Sequence, residues 1–282
     1  MAIRLVKRAV VFVLVLAALW GLYEGYRWLW QTAGWARPFR ADDLTMPHLH
    51  EIVLQLREPT STGDDLWLYL FHAAAFTARA AAVGFAIGAL VGFGLGVLLS
   101  SFDVLRRGIM PYVVASQTIP ILALAPIVVR GLGSVSIGGS APPDWVRVSV
   151  IAAYLTFFPV TVNTLRGLLS ADPWALELMH SYAARGWTIL WKLRVPSALP
   201  YIFTALKIAA TASVVGAIIG EQTASITNGL GGAILNFNQY YVLEPKNLWA
   251  TNVYAAMLGI GFLLVVLLAE KLVVHRAPER LV

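Results

Sequence analysis

No cysteine occurs among the 282 residues, which excludes disulfides, thiolate metal sites and a cysteine nucleophile. Charge is also scarce: Asp, Glu, Lys and Arg make up 13% of the chain, against roughly 25% in a soluble domain. The sequence has no GxxxxGK followed by Ser or Thr, so no phosphate-cradling loop of that type is available to bind a nucleotide. It has neither HExxH nor GxSxG, and no pair of facing carboxylates, which leaves an intramembrane enzyme without its reagents. An inverted repeat and a mid-span acidic pair are missing too, although an ion-gradient-driven secondary transporter is expected to carry them. That transporter is the alternative to the reading developed below.

What the chain has in abundance is apolar side chains, 59% of residues, with a mean hydropathy of +0.72. Lipid is the solvent that suits this balance. The net charge of +6 is spread between apolar stretches and forms no patch of the kind that binds nucleic acid. Crossing a bilayer takes about 20 apolar residues. Six stretches qualify, near residues 9–30, 68–99, 109–129, 146–169, 201–220 and 249–273. The expected fold is therefore all-α and polytopic, with six transmembrane helices. An N-terminal anchor helix and polar loop occupy 1–67, and a five-helix core occupies 68–282. The first stretch starts basic but ends in WLW without a small-residue cleavage site, so it is read as an anchor rather than a signal peptide. With both termini inside, twelve Lys/Arg fall on the inner segments and seven on the outer, the bias of a chain with cytoplasmic N- and C-termini. The polar region 31–66 shows no catalytic constellation and reads as a solvated linker with an interfacial helix. His48 and His50 share it, and a two-histidine pair alone is not read as a metal site.

Two spans carry small residues at helical spacing. Gly84, Gly88, Gly92 and Gly96 recur every fourth residue in the second. Small residues at this spacing let helices approach closely in lipid, where no hydrophobic force drives them together. Ala205, Ala209, Ala212, Gly216 and Gly220 give the fifth span a slim face. Polar groups at membrane depth are costly and so mark candidate functional positions. Gln117 and Thr118 lie midway along the third span, Thr156 in the fourth beside Phe157, and Glu221 at the outer end of the fifth. These five are the candidates for lining or gating a path. For each, interhelical packing or hydrogen bonding is the structural alternative, and for Glu221 a simple helix end. Lys207, in the fifth span, is read as snorkelling toward the headgroups.

The most informative stretch is 171–200, ADPWALELMHSYAARGWTILWKLRVPSALP. A loop that only joins two helices needs about 2–8 residues. Thirty residues with helical periodicity of their own suggest a surface for a soluble partner. The spacing puts Leu176, Met179 and Ala183 on one apolar face and Trp187, Leu190 and Trp191 on a second. Pro196 is expected to stop the helix before the fifth span.

From Glu177 the pattern E-L-M-x3-A-x9-L-x-V-P resembles the EAA loop of bacterial ABC importer permeases, E-A-A-x3-G-x9-I-x-L-P. Glu177, Leu193, Val195 and Pro196 match. Leu178 and Met179 replace the paired alanines, and Ala183 stands where glycine is expected. The resemblance extends over most of the chain from about residue 68, through SQTIPILALAPIVV and GAIIGEQ. These stretches look like those of permeases for taurine, aliphatic sulfonates, nitrate and thiamine or riboflavin precursors. The resemblance implies a type I permease bundle in the bacterial inner membrane, with Glu177, Met179, Ala183, Ala184, Gly186, Trp187, Leu193 and Pro196 coupling to a cytoplasmic ATPase. Glu177 either makes a polar contact there or supplies favourable charge near a helix N-terminus. The resemblance also implies two ATPase subunits that bind ATP and Mg in trans, a second permease copy forming a homodimer, and an extracytoplasmic binding protein that delivers the substrate. This chain itself would hold no cofactor and no metal. The implied mechanism is alternating access, in which each ligand favours one of two conformations.

Overall fold

In the computed structural model the described residues are 2–33, 42–60, 63, 65–136 and 139–274. Their regular elements are helical, with a single isolated bridge between Pro59 and Asp65. In chain order the α-helices are α1 (Ala2–Ala33), α2 (Leu49–Gln55), α3 (Leu66–Ser101), α4 (Asp103–Ala115), α5 (Ile121–Gly133) and α6 (Asp144–Leu169). Then follow α7 (Pro173–Ser181), α8 (Gly186–Ile189), α9 (Val195–Ala224), α10 (Leu230–Gln239) and α11 (Pro245–Val273). A 3₁₀ turn, Ser116–Thr118, lies between α4 and α5, and a π-helical turn, Leu190–Arg194, joins α8 to α9.

Among the described residues, four helical stretches are long and apolar enough to cross a membrane: Leu66–Ser101, Asp144–Leu169, Gly186–Ala224 and Pro245–Val273. The third expected span is not a continuous helix. Asp103–Thr118 and Ile121–Gly133 meet at 97°. The cause is local. Pro120 disfavours helical backbone in the residue before it, and Ile119 is extended at φ −74°, ψ 122°. The first expected span does form a helix, α1, but that helix is not among the four.

The chain divides into two compact units, residues 1–67 with 237–250, and residues 68–236 with 251–282. In the first, a turn at 42–46 closes through Thr45 N–H donating to Asp42 Oδ1 at 2.9 Å. It is pinned to α1 by Tyr23, whose hydroxyl donates to the Pro47 carbonyl at 2.8 Å, and by buried Arg27, which binds the Met46 carbonyl and the Asp43 carboxylate. Lys246 pairs with Glu51 at 3.2 Å.

The second unit is built on α3, α5, α6 and α9. Its main core joins Ala80 and Ala81 of α3, Ala125 and Val129 of α5, Val148, Ile151 and Ala152 of α6, and Val214 and Ala217 of α9. Small side chains dominate this list, and the close approach they permit is greatest along the glycines of α3. A β-carbon placed on Gly88 would sit 2.6 Å from Thr156 Cβ and 2.6 Å from the Ala153 carbonyl. One on Gly92 would lie 2.6 Å from the Phe157 carbonyl, and one on Gly96 would lie 2.8 Å from Thr164 Cβ. Gly84 faces Ala152 and Ser149 in the same way. The α3 backbone thus lies directly on α6 for four helical turns. Lys207 Nζ pairs with both carboxylate oxygens of Glu270 on α11, at 3.0 Å each. Arg79 is also engaged inside the unit, stacked 3.9 Å over the Trp145 ring.

Candidate functional site

The loop between α6 and α9 is built from local signals. Asp172 caps α7, its Oδ1 accepting from the Trp174 N–H at 3.0 Å. Pro173 opens the helix where its missing N–H costs nothing. At the other end Ala183 N–H donates to the His180 carbonyl at 2.9 Å and Ala184 N–H to the Met179 carbonyl at 3.0 Å. This paired closure needs a left-handed residue just past the helix, and Ala183 takes that role at φ 53°. The position where the family pattern places glycine is therefore one where backbone geometry favours it.

The loop then restarts. Arg185 is the extended N-cap residue of α8, and α8 continues through the π turn into α9. Pro196 thus sits at the beginning of α9 rather than stopping a helix ahead of it. Its ring lacks the N–H that would bond back to the preceding turn, and the wider π turn precedes it. The second expected face is also split. Trp187 and Trp191 are exposed whereas Leu190 is buried in a cluster with Leu168, Ala198 and Ile202. At 3.6 residues per turn Leu190 and Trp191 are about 100° apart on the wheel, so one edge of that face turns inward while the other stays outside.

Several large apolar side chains of the loop have no cover: Trp174 and Tyr182 are each 79% exposed, Trp187 70% and Leu178 56%. Trp187 and Trp191 meet edge-on, with ring centroids 5.4 Å apart. Glu177, Ala183 and Gly186 are exposed, and Met179, Ala184 and Leu193 half-buried. Beside them a cleft of about 580 Å³ opens between the C-terminal end of α3 (Gly94, Leu98), Phe102 ahead of α4, and His180, Trp187 and Arg194 of the loop. Arg194 anchors this region by donating to the Ser100 carbonyl at 3.2 Å.

The five candidate path residues are not gathered on one surface. Gln117 and Thr118 are exposed in the 3₁₀ turn of the broken span. The Tyr154 hydroxyl donates to the Ser116 carbonyl and holds that turn against α6. Phe157 is half-buried, its ring 5.8 Å from that of Tyr154. Thr156 is fully buried beneath Gly88. Glu221 is 0% exposed. Its Oε2 accepts from Thr77 Oγ1 at 3.1 Å and from the Gly231 N–H at 2.7 Å, while the Leu230 N–H donates to Thr77 Oγ1 at 2.9 Å. Glu221 is thus no plain helix end: it ties the end of α9 to α3 and to the start of α10. Thr77, Gly231, Tyr154 and Glu270 were not singled out from sequence. Thr77 carries no signal in a span of alanines, and its partner Glu221 lies 144 residues away.

Long apolar helices packed through glycine and alanine, with one span broken at its centre, define a polytopic membrane protein. The chain belongs to the family of binding-protein-dependent transport system inner membrane components, whose model matches residues 84–278. It is 40% identical over 149 residues to the formylaminopyrimidine transport permease protein ThiX of Halalkalibacterium halodurans, covering 51% of this chain and 56% of that one. It is 28% identical over 130 residues to the riboflavin transport system permease protein RibX of Chloroflexus aurantiacus, covering 46% and 45%. Identity to the putative aliphatic sulfonates transport permease protein SsuC of Bacillus subtilis is 25% over 231 residues, covering 82% and 77%. The chain thus spans about half the length of the first two of these relatives.

Proposed function

We propose that this chain is the membrane permease subunit of an ATP-driven importer and forms the path for a small organic solute handed over by a binding protein. The observation that carries this reading, beyond family membership, is the uncovered aromatic loop between α6 and α9. Apolar side chains as large as Trp174 and Trp187 stay exposed at a cost unless a partner covers them. A cytoplasmic ATPase is the partner that suits the loop. On this reading α7 and α8 seat in the ATPase, and Glu177, Met179, Ala183, Ala184, Gly186, Trp187, Leu193 and Pro196 shape or support the seat. Two ATPases bind ATP and Mg, and a second permease copy completes the complex. The N- and C-termini face the cytoplasm, with α1 and the broken α4–α5 pair bringing the spans to six.

The relatives' names point to vitamin precursors or sulfonates as the class of solute. Gln117 and Thr118, which are exposed, and Phe157, which is half-buried, would line that path. Thr156 and Glu221 would join it only in a conformation that separates α3 from α6 or α10 from α9. The test is to purify the chain with its native partners in mild detergent and to measure ATPase activity with and without the binding protein. Stimulated hydrolysis that Ala184→Arg abolishes, in a variant that still inserts into the membrane, is the expected result. A chain that carries no ATPase, or an Ala184→Arg variant with normal uptake, overturns the assignment.

A further inference from the structure

A second cluster stands apart from the transport reading and lies wholly within the first unit. His48, the extended residue just ahead of α2, directs Nδ1 to Glu24 Oε2 on α1 at 2.8 Å. His50, two residues on, brings its ring centroid to 5.2 Å from that of His48. One ligand atom from each of Glu24, His48 and His50 lies within 4.8 Å of the other two. The sequence hides this set, because the carboxylate comes 24 residues before the histidine it meets.

The geometry points to a binding site for one divalent transition-metal ion, held by Glu24, His48 and His50, with at least one coordination position left open. Two imidazoles and one carboxylate suit zinc and its neighbours rather than magnesium or calcium, which favour all-oxygen shells. Ligand atoms about 2.0–2.1 Å from a tetrahedral zinc stand roughly 3.3 Å apart. The spacings here, from 2.8 Å to at most 4.8 Å, bracket that value, so small side-chain rotations complete the shell. On binding, the ion replaces the proton shared by His48 and Glu24, and that proton moves to the far nitrogen of the His48 ring.

The scaffold is set before any ion arrives. Tyr23 and Arg27 flank Glu24 on α1 and grip the carbonyls of Pro47 and Met46, the two residues preceding His48. The nearby positive charge of Arg27 is answered by Asp43. Glu24 and His48 keep about a quarter to a third of their side-chain surface, at 26% and 32%, and His50 is exposed, so an ion can enter. A bound ion would fasten α1 to the segment 42–55 more firmly than one ion pair does.

The test is a Co(II) titration of the full-length chain in detergent, purified on a tag without histidine and followed by the visible bands of tetrahedral cobalt. We expect one Co(II) per chain, displaced by Zn(II). Affinity should fall at least about tenfold in His50→Ala and in Glu24→Gln, both eluting as the native species in size exclusion, and should be unchanged in His72→Ala. Absence of saturable tetrahedral bands, or equal binding by His50→Ala and the unaltered chain, overturns the site. So does loss of binding in His72→Ala.

Discussion

Gly88→Ala is the smallest change that tests the packing of α3 on α6, and Gly94→Ala is its control. A β-carbon at Gly88 would stand 2.6 Å from both Thr156 Cβ and the Ala153 carbonyl, whereas carbon atoms in favourable contact sit about 3.5–4.0 Å apart. The two helices must therefore separate by about 1 Å at that turn. The Ala153 carbonyl is backbone and cannot rotate aside, and Thr156 is enclosed. Overpacking of this kind costs typically about 1–3 kcal/mol, and alanine returns up to about 1 kcal/mol through helix propensity. The net loss is about 0–2 kcal/mol. Gly94 lies on the same helix with nothing within 4 Å of a placed β-carbon, so there the propensity gain stands alone. The two variants should differ by about 2 kcal/mol, a factor of roughly 30 in the folded-to-unfolded ratio. Unfolding by SDS in mixed micelles, read by tryptophan fluorescence, measures the gap. Equal midpoints for the two variants would show that the helices are not in contact along this ladder.

Three other substitutions address separate features. Ala183→Gly should tighten the end of α7 by about 0.5–1 kcal/mol, because the left-handed penalty of about 1–2 kcal/mol on alanine exceeds the extra chain entropy of glycine; slower hydrogen exchange at the Ala184 N–H reports it, and faster exchange contradicts it. Glu221→Ala leaves the Gly231 N–H without its acceptor in a buried site, while the Thr77 hydroxyl keeps the Ala73 carbonyl at 3.1 Å, and the lost bond with the vacated volume should cost about 2–4 kcal/mol in the same SDS unfolding assay, where a loss below about 0.5 kcal/mol would deny the knot its role. The losses in Lys207→Ala and Glu270→Ala should add up to more than the loss in the double variant, since either alone strands a charge; additive losses would show that the pair is not coupled.

Hydropathy locates apolar length but says nothing of chain direction, which is why residues 109–129 read as one span although Pro120 breaks them. The glycine ladder was legible because its period of four is itself the packing signal. Lys207 and Glu221 were visible as costly groups, yet their partners Glu270 and Thr77 lie 63 and 144 residues away, and one sequence carries no record of such pairings. Leu190 was placed on the face of Trp187 and Trp191, yet it sits at that face's edge, where Leu168, Ala198 and Ile202 cover it, and such tertiary cover is not written in the spacing. Ala183 shows the opposite case: a departure from the family pattern, conspicuous in the sequence, falls on the one backbone angle in the loop that such a pattern would single out.

The π turn has a mechanical consequence. From Gly186 to Ala224 the chain runs 39 residues without an intervening loop, a contour of about 58 Å at 1.5 Å per residue. A load applied at Trp187 is therefore transmitted as torque along a stiff rod instead of being dissipated in slack chain. The Leu190–Arg194 turn, wound more loosely than its neighbours, is where that rod begins, and Glu221 near its far end receives what enters there.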